Sequence, residues 1–140
     1  MSLAYRFFVA GIVFALTGMS LGTYMGMAQD FAYAPVHTHI NLVGFVTLFL
    51  FGLYYRAEPG NAAGRLPQSQ FLFAIAGAIL LPIGIFGAVT GNETVDLAVI
   101  PGTLLTLASM TLFLAIVLRG WRRHATSEPR SVLAVARTSA

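Results

Sequence analysis

The chain has 140 residues, of which 57% are apolar and only 9% are charged. An ordinary soluble domain carries about a quarter charged residues, so this composition indicates an integral membrane protein. The absence of cysteine excludes disulfides, thiolate metal sites and thiol catalysis. The net charge of +3 arises from arginines at the ends of apolar stretches, which indicates membrane topology rather than binding to nucleic acid.

Four apolar stretches follow one another along the chain, at about residues 7–28, 36–55, 71–89 and 97–118. Each is about 19 to 22 residues long, which is enough for a helix to cross a hydrocarbon core of about 30 Å. We therefore predict an all-α, four-helix membrane bundle that forms a single domain over residues 1–124 and lies in a lipid bilayer. Residues 125–140 contain no long apolar run and are predicted to be a cytoplasmic tail without fixed structure.

The first stretch contains Gly18, Gly22 and Gly26, which form two overlapping G-x-x-x-G motifs. Small residues at this spacing let helices approach closely in lipid. We expect these glycines to pack against a neighbouring helix of the same chain; a contact between copies and room for a flat cofactor are the alternatives. The stretch exceeds the apolar core of a secretion signal, about 7 to 15 residues, so we interpret it as a spanning helix rather than a signal peptide.

The arginines are distributed unevenly between the two sides of the predicted bundle. All eight lie before the first stretch, between the second and third, or after the fourth. The other two loops carry charge only on Asp30, Glu93 and Asp96. Because basic residues remain on the cytoplasmic side, we predict that both termini are cytoplasmic, in what we expect to be a bacterial inner membrane.

A few other polar side chains lie in or beside the later stretches. Gln68 and Gln70 lead into the third stretch, and Thr103, Thr106 and Ser109 lie in the fourth. Hydroxyl groups in membrane helices bond either to their own backbone or to a neighbouring helix, and the sequence leaves both possibilities open.

The second stretch follows Pro35 and carries His37 and His39 near its start. A histidine inside an apolar membrane helix is costly and marks a candidate functional site. Residues two positions apart are separated by about 200° around a helix, so the side chains of His37 and His39 should face nearly opposite sides. We expect His39 to lead the apolar face toward Val43 and Val46, and His37 to lie nearer water. The simpler interpretation is that His39 is a hydrogen-bonded residue at the helix end and His37 an interfacial residue.

The segment H-x-N-x-x-x-F that opens on His39, followed by an apolar helix ending in Tyr54 and Tyr55, resembles the second helix of heme-copper oxidase catalytic subunits. The nearest branch is that of high-affinity oxidases and nitric oxide reductases. In that family this helix starts at the outer face and carries an axial histidine of the low-spin heme b. The resemblance, which covers under half of the chain, implies that His39 binds heme b for electron transfer, redox or gas sensing, or support of a respiratory complex.

The chain also departs from that family. The catalytic subunits have many more helices, and several further histidines form their oxygen- or nitric-oxide-reducing centre. Here the one histidine after His39 is His124, on the opposite side of the membrane, so we do not expect the chain to be an enzyme on its own. A second heme ligand would come from another copy in a homo-oligomer, from a larger respiratory complex, or from Met25 or Met27, because methionine is an accepted axial ligand.

Two alternatives to heme remain open. Met25, Met27, His37 and His39 place thioethers and imidazoles near one membrane face, a set that suits Cu(I) in an outer-face copper-binding protein. The other alternative is a cofactor-free structural or assembly subunit whose histidines only make hydrogen bonds. The sequence contains no Gly-rich phosphate loop, no H-E-x-x-H and no G-x-S-x-G, so none of these enzyme classes is indicated.

Overall fold

The computed structural model describes residues 1–127, in which every major element is a helix. The helices are α1 (Leu3–Ala28), α2 (Ala34–Ala57), α3 (Arg65–Thr90), the short α4 (Glu93–Asp96) and α5 (Val99–Ser127). A 3-10 turn, Pro59–Asn61, lies between α2 and α3. The helices α1, α2, α3 and α5, the last extended by α4, are long and apolar enough to cross a membrane. The predicted all-α class with four candidate spans is confirmed.

The helices extend beyond the apolar stretches that predict them. Helix α1 begins at Leu3, where Leu3 and Ala4 belong to the buried core, and α3 begins at Arg65, because residues beside an apolar stretch can continue the backbone hydrogen bonding. Helix α5 runs to Ser127, so the first residues of the predicted tail are helical. The rest of that tail, residues 128–140, lies outside the described residues.

Two tight turns close the helices at the end of the bundle that carries Asp30, Glu93 and Asp96, which we name the acidic end. Gln29 ends α1 in a left-handed conformation with φ of 52°, and its amide donates to the Met25 carbonyl. Gly91 ends α3 with φ of 70°, a conformation that glycine adopts without strain. Asn92 then caps α4, its side-chain oxygen accepting from the amide of Val95 over 3.2 Å. The opposite end, where α1 and α3 begin and α2 and α5 end, is the arginine end.

The chain folds into two helical hairpins, α1 with α2 and α3 with α5, and each is closely packed through glycines. A Cβ added at Gly52 of α2 would lie 2.6 Å from the Phe8 ring of α1. One added at Gly84 of α3 would lie 2.7 Å from Cγ2 of Val99. In lipid, such close approach contributes packing energy that the hydrophobic effect does not supply between helices.

An aromatic cluster joins the two hairpins. Phe7 of α1 is fully buried, stacks on Tyr55 at 5.7 Å between ring centroids, and meets Phe71 of α3 edge-on at 4.8 Å. Phe51 of α2 contacts Phe113 of α5 at 4.4 Å. The buried core around these rings also contains Leu3, Ala4, Leu48, Ala74, Ala78 and Ile116.

The middle of α2, Ile40–Thr47, is a π-helix that begins directly after His39. Its wider turn brings the Thr47 hydroxyl to the carbonyl of Leu42, five residues earlier, over 2.8 Å. Where the α-helix gives way to the π-helix, the side-chain amide of Asn41 donates to the His37 carbonyl over 2.9 Å. Such π segments occur frequently at functional sites, and this one adjoins both candidate histidines.

Candidate functional site

His37 lies in the interface between α1 and α2. Its Nδ1 is 2.8 Å from the carbonyl oxygen of Gly18, so Nδ1 carries the proton and donates. The ring covers Gly22, where an added Cβ would lie 2.7 Å from Cε1 of His37. Gly18 similarly makes room for the Asn41 side chain. The glycines of α1 thus form a recess that holds two polar side chains of α2.

Gly26, the third glycine of the motif, lies outside this recess. A Cβ added there would meet nothing within 4 Å. Gly18 and Gly22 therefore contact α2 within the same chain, whereas Gly26 near the acidic end leaves an open surface.

His39 bonds within its own helix. Its Nδ1 lies 2.8 Å from the Pro35 carbonyl oxygen, one turn earlier, and therefore donates to it. The ring is half-exposed, and Nε2 has no hydrogen-bond partner among residues 1–127. This is the arrangement that metal-binding histidines usually show, with one ring nitrogen held by a carbonyl and the other left with its lone pair.

The structure reverses the expected placement of the two histidines. The expectation put His39 on the packed face and His37 nearer water, but His37 is the residue that bonds across the helix interface. The predicted divergence of about 200° agrees with these separate partners, since the segment Ala34–His39 is a regular α-helix. Which of the two faced inward depended on where α1 lies, and the apolar periodicity of α2 alone did not contain that information.

The two methionines near the acidic end also diverge. Met25 is buried, with 4% of its surface exposed, and Met27 is 83% exposed. Their thioethers therefore lie on different faces of α1. No group of three or more His, Cys, Asp or Glu side chains that could hold a metal ion occurs in the part of the chain that the structure describes.

A heme on His39 would lie at the surface of the bundle, because the His39 ring is partly exposed there. Within residues 1–127, neither the cavity at the arginine end nor the one between the hairpins is lined by His37 or His39. The gap between the hairpins, bordered by Thr47 and Ser109, is about 10 Å³, hardly the space of one water. A heme on Nε2 of His39 would therefore have one ligand from this chain and would need a second chain or lipid to cover it.

A buried network of hydrogen bonds links α2, α3 and α5. The sequence left the partners of its side chains open. The Tyr55 hydroxyl donates to Oε1 of Gln70 over 3.3 Å, and Nε2 of Gln70 donates to Oγ of Ser109 over 3.2 Å. Ser109 donates in turn to the Gln70 carbonyl over 3.3 Å. Thr106, by contrast, bonds to its own helix at the Gly102 carbonyl. The glutamine beside an apolar stretch was the available signal for this network.

The remaining histidine lies at the arginine end. Nε2 of His124 is 3.0 Å from a carboxylate oxygen of Glu58, on the loop after α2. Both side chains are well exposed, so this contact contributes at most about 1 kcal/mol to stability.

Residues 1–127 thus form an all-helical fold with four helices long and apolar enough to span a membrane, and Nε2 of His39 has no hydrogen-bond partner among them. Comparison of the chain with models of protein families, with curated proteins and with solved structures gives no significant match.

Proposed function

We propose that this chain is an integral membrane protein that binds heme b through Nε2 of His39. The observation that carries the proposal is the bond from Nδ1 of His39 to the Pro35 carbonyl, which fixes the tautomer and leaves Nε2 as an electron-pair donor. The resemblance of the segment opening on His39 to an oxidase helix also supports His39 as the heme ligand. Bound heme would supply one-electron redox chemistry or gas binding.

The proposed topology has both termini in the cytoplasm. Arg6 lies near the start of α3, where it donates to Gln68 over 2.7 Å, and Arg65, Arg119 and Arg123 surround one cavity at the same end. His39 then lies toward the outer surface. A bacterial inner membrane is the proposed location.

The second axial ligand is proposed to come from another chain. Met25 is buried against the bundle, and His37 is engaged with Gly18, so neither is free to turn toward His39 without breaking packing. A two-fold homo-oligomer in which each copy contributes its His39 would supply two equivalent ligands. A subunit of a larger respiratory complex would supply the second ligand from a different protein.

Absorption spectra of the detergent-purified protein, oxidised and dithionite-reduced, test this proposal. We expect a Soret band that His39→Ala abolishes and that His124→Ala, a matched histidine at the other end, leaves unchanged. In a symmetric dimer, pyridine hemochrome analysis should give one heme per two chains. A spectrum without a Soret band, from protein expressed with ample heme, would contradict the proposal.

A cofactor-free structural or assembly subunit is the second candidate function. The observation in its favour is that His37 and Asn41 serve helix packing, and that long apolar side chains of α1 such as Leu16 and Met19 remain at least 60% exposed. This function predicts a colourless protein in which His39→Gln leaves stability and assembly unchanged. Copper, the third candidate, predicts metal retention that depends on Met25 or Met27 together with His37 and His39.

A further inference from the structure

A cavity of about 180 Å³ lies at the arginine end, between the loop after α2 and the last turns of α5. Arg65, Arg119 and Arg123 line it, and none of the acidic residues among residues 1–127 does. Glu58, the acidic residue of the adjoining loop, contacts His124 over 3.0 Å. The cavity is therefore a half-open recess lined by three exposed arginines.

We propose that this cavity binds a phosphate group, the shared chemistry of an anionic phospholipid headgroup and of a soluble phosphate compound. Guanidinium groups present paired N–H donors that match phosphate oxygens. The volume is roughly six times the share of one water in the liquid, about 30 Å³, which leaves room for a tetrahedral anion.

The backbone around the cavity adds donors to the guanidinium groups. Helix α3 begins at Arg65, and its N-cap residue, Gly64, has φ of 102° and provides no side-chain acceptor for the first amides. Gly64 and Leu66 both line the cavity. Pro67 has no N–H, so Arg65 and Leu66 supply the first amides of this turn, and the positive end of the helix dipole adds to the charge of the arginines.

The position of the cavity favours a lipid as the source of the phosphate. It lies where four apolar helices reach their charged ends, which is the depth of headgroups in a bilayer. Trp121, 66% exposed between Arg119 and Arg123 in sequence, is a residue type enriched at that interface. The proposal does not depend on heme binding.

Ligand titration of the full-length protein in neutral detergent tests the site. Phosphatidylglycerol, phosphatidylcholine and inorganic phosphate are added separately. Trp121 is the one tryptophan in the chain, so its fluorescence reports binding near α5 directly. Native mass spectrometry counts the lipids that remain bound. We expect saturable binding of one phosphatidylglycerol per cavity and much weaker binding of phosphatidylcholine.

Substitutions distinguish binding in the cavity from general attraction to positive surface charge. Arg65→Gln and Arg119→Gln should each weaken phosphatidylglycerol binding about fivefold. Ala63→Leu, which fills the lining without changing charge, should weaken it too and serves if the arginine variants fail to fold. Arg56→Gln is the matched control, because Arg56 is exposed at the end of α2 and does not line the cavity.

The outcomes distinguish the sources of phosphate. Tight phosphatidylglycerol binding that inorganic phosphate does not displace identifies a lipid headgroup. Displacement by millimolar phosphate, again sensitive to Arg65 and Arg119, identifies a soluble phosphate compound. Equal binding of phosphatidylcholine, no effect of Ala63→Leu, or an equal effect of Arg56→Gln would overturn the proposal, because the binding would then not belong to this cavity.

Discussion

Nδ1 of His37 lies 2.8 Å from the carbonyl oxygen of Gly18, and this bond joins α1 to α2. It depends on the absence of side chains at Gly18 and Gly22, since a Cβ at either position would collide with Asn41 or His37. The contact gives His37 a role in the packing of the two helices, whereas the bond of His39 stays within its own helix.

Gly22→Ala should destabilise the α1–α2 hairpin. The added methyl would lie 2.7 Å from Cε1 of His37, and the ring can move away only by giving up its bond to Gly18. We expect a loss of about 1–3 kcal/mol, the usual cost of overpacking. Thermal unfolding in detergent, followed by circular dichroism, measures it. Gly26→Ala is the matched control, and a comparable loss in that variant would contradict the packing assignment.

The same contact predicts coupling between Gly22 and His37. In a His37→Ala background the ring is absent, so Gly22→Ala should cost close to nothing. A double-mutant cycle of unfolding free energies measures this coupling. Additive effects of the two substitutions would show that the methyl group does not act through the histidine ring.

Gln70→Leu should destabilise the whole bundle. It removes the acceptor of the buried Tyr55 hydroxyl and the amide that donates to Ser109, which keeps only its bond to the backbone carbonyl of residue 70. We expect a loss of about 1–3 kcal/mol. Gln68→Leu, two residues earlier and exposed beside Arg6, should stay within about 0.5 kcal/mol of the parent protein. Similar unfolding temperatures for the two variants would argue against the buried network.

The absence of cysteine gives a direct test of topology. Thr94→Cys lies on the exposed acidic end, and Gly60→Cys lies on the loop at the arginine end, where an added Cβ meets nothing within 4 Å. In intact cells of a bacterial host, a membrane-impermeant maleimide should label position 94 and not position 60. The reverse pattern would place both termini outside and would also move His39 to the cytoplasmic side.

The four candidate spans and the all-α class were predictable because each span contains a long apolar run. Helix α3 begins six residues before the apolar stretch that predicts it, because residues 65–70 include Arg65, Gln68 and Gln70, and only the fold shows that Gln70 is buried. The divergence of His37 and His39 followed from helix geometry. The hydrogen-bond partner of each histidine could not be predicted from the sequence. These partners depend on the position of a second helix and on a π-helical segment that hydropathy does not reveal.

The two hairpins also have a consequence for biosynthesis. Each holds its helices together with its own glycines, and each turns at the acidic end through a short loop without a basic residue. We therefore expect the first pair to form before α3 is synthesised. Tyr55 and Gln70 belong to different pairs, so we expect the hydrogen bond between them to form last, when the second pair docks on the first.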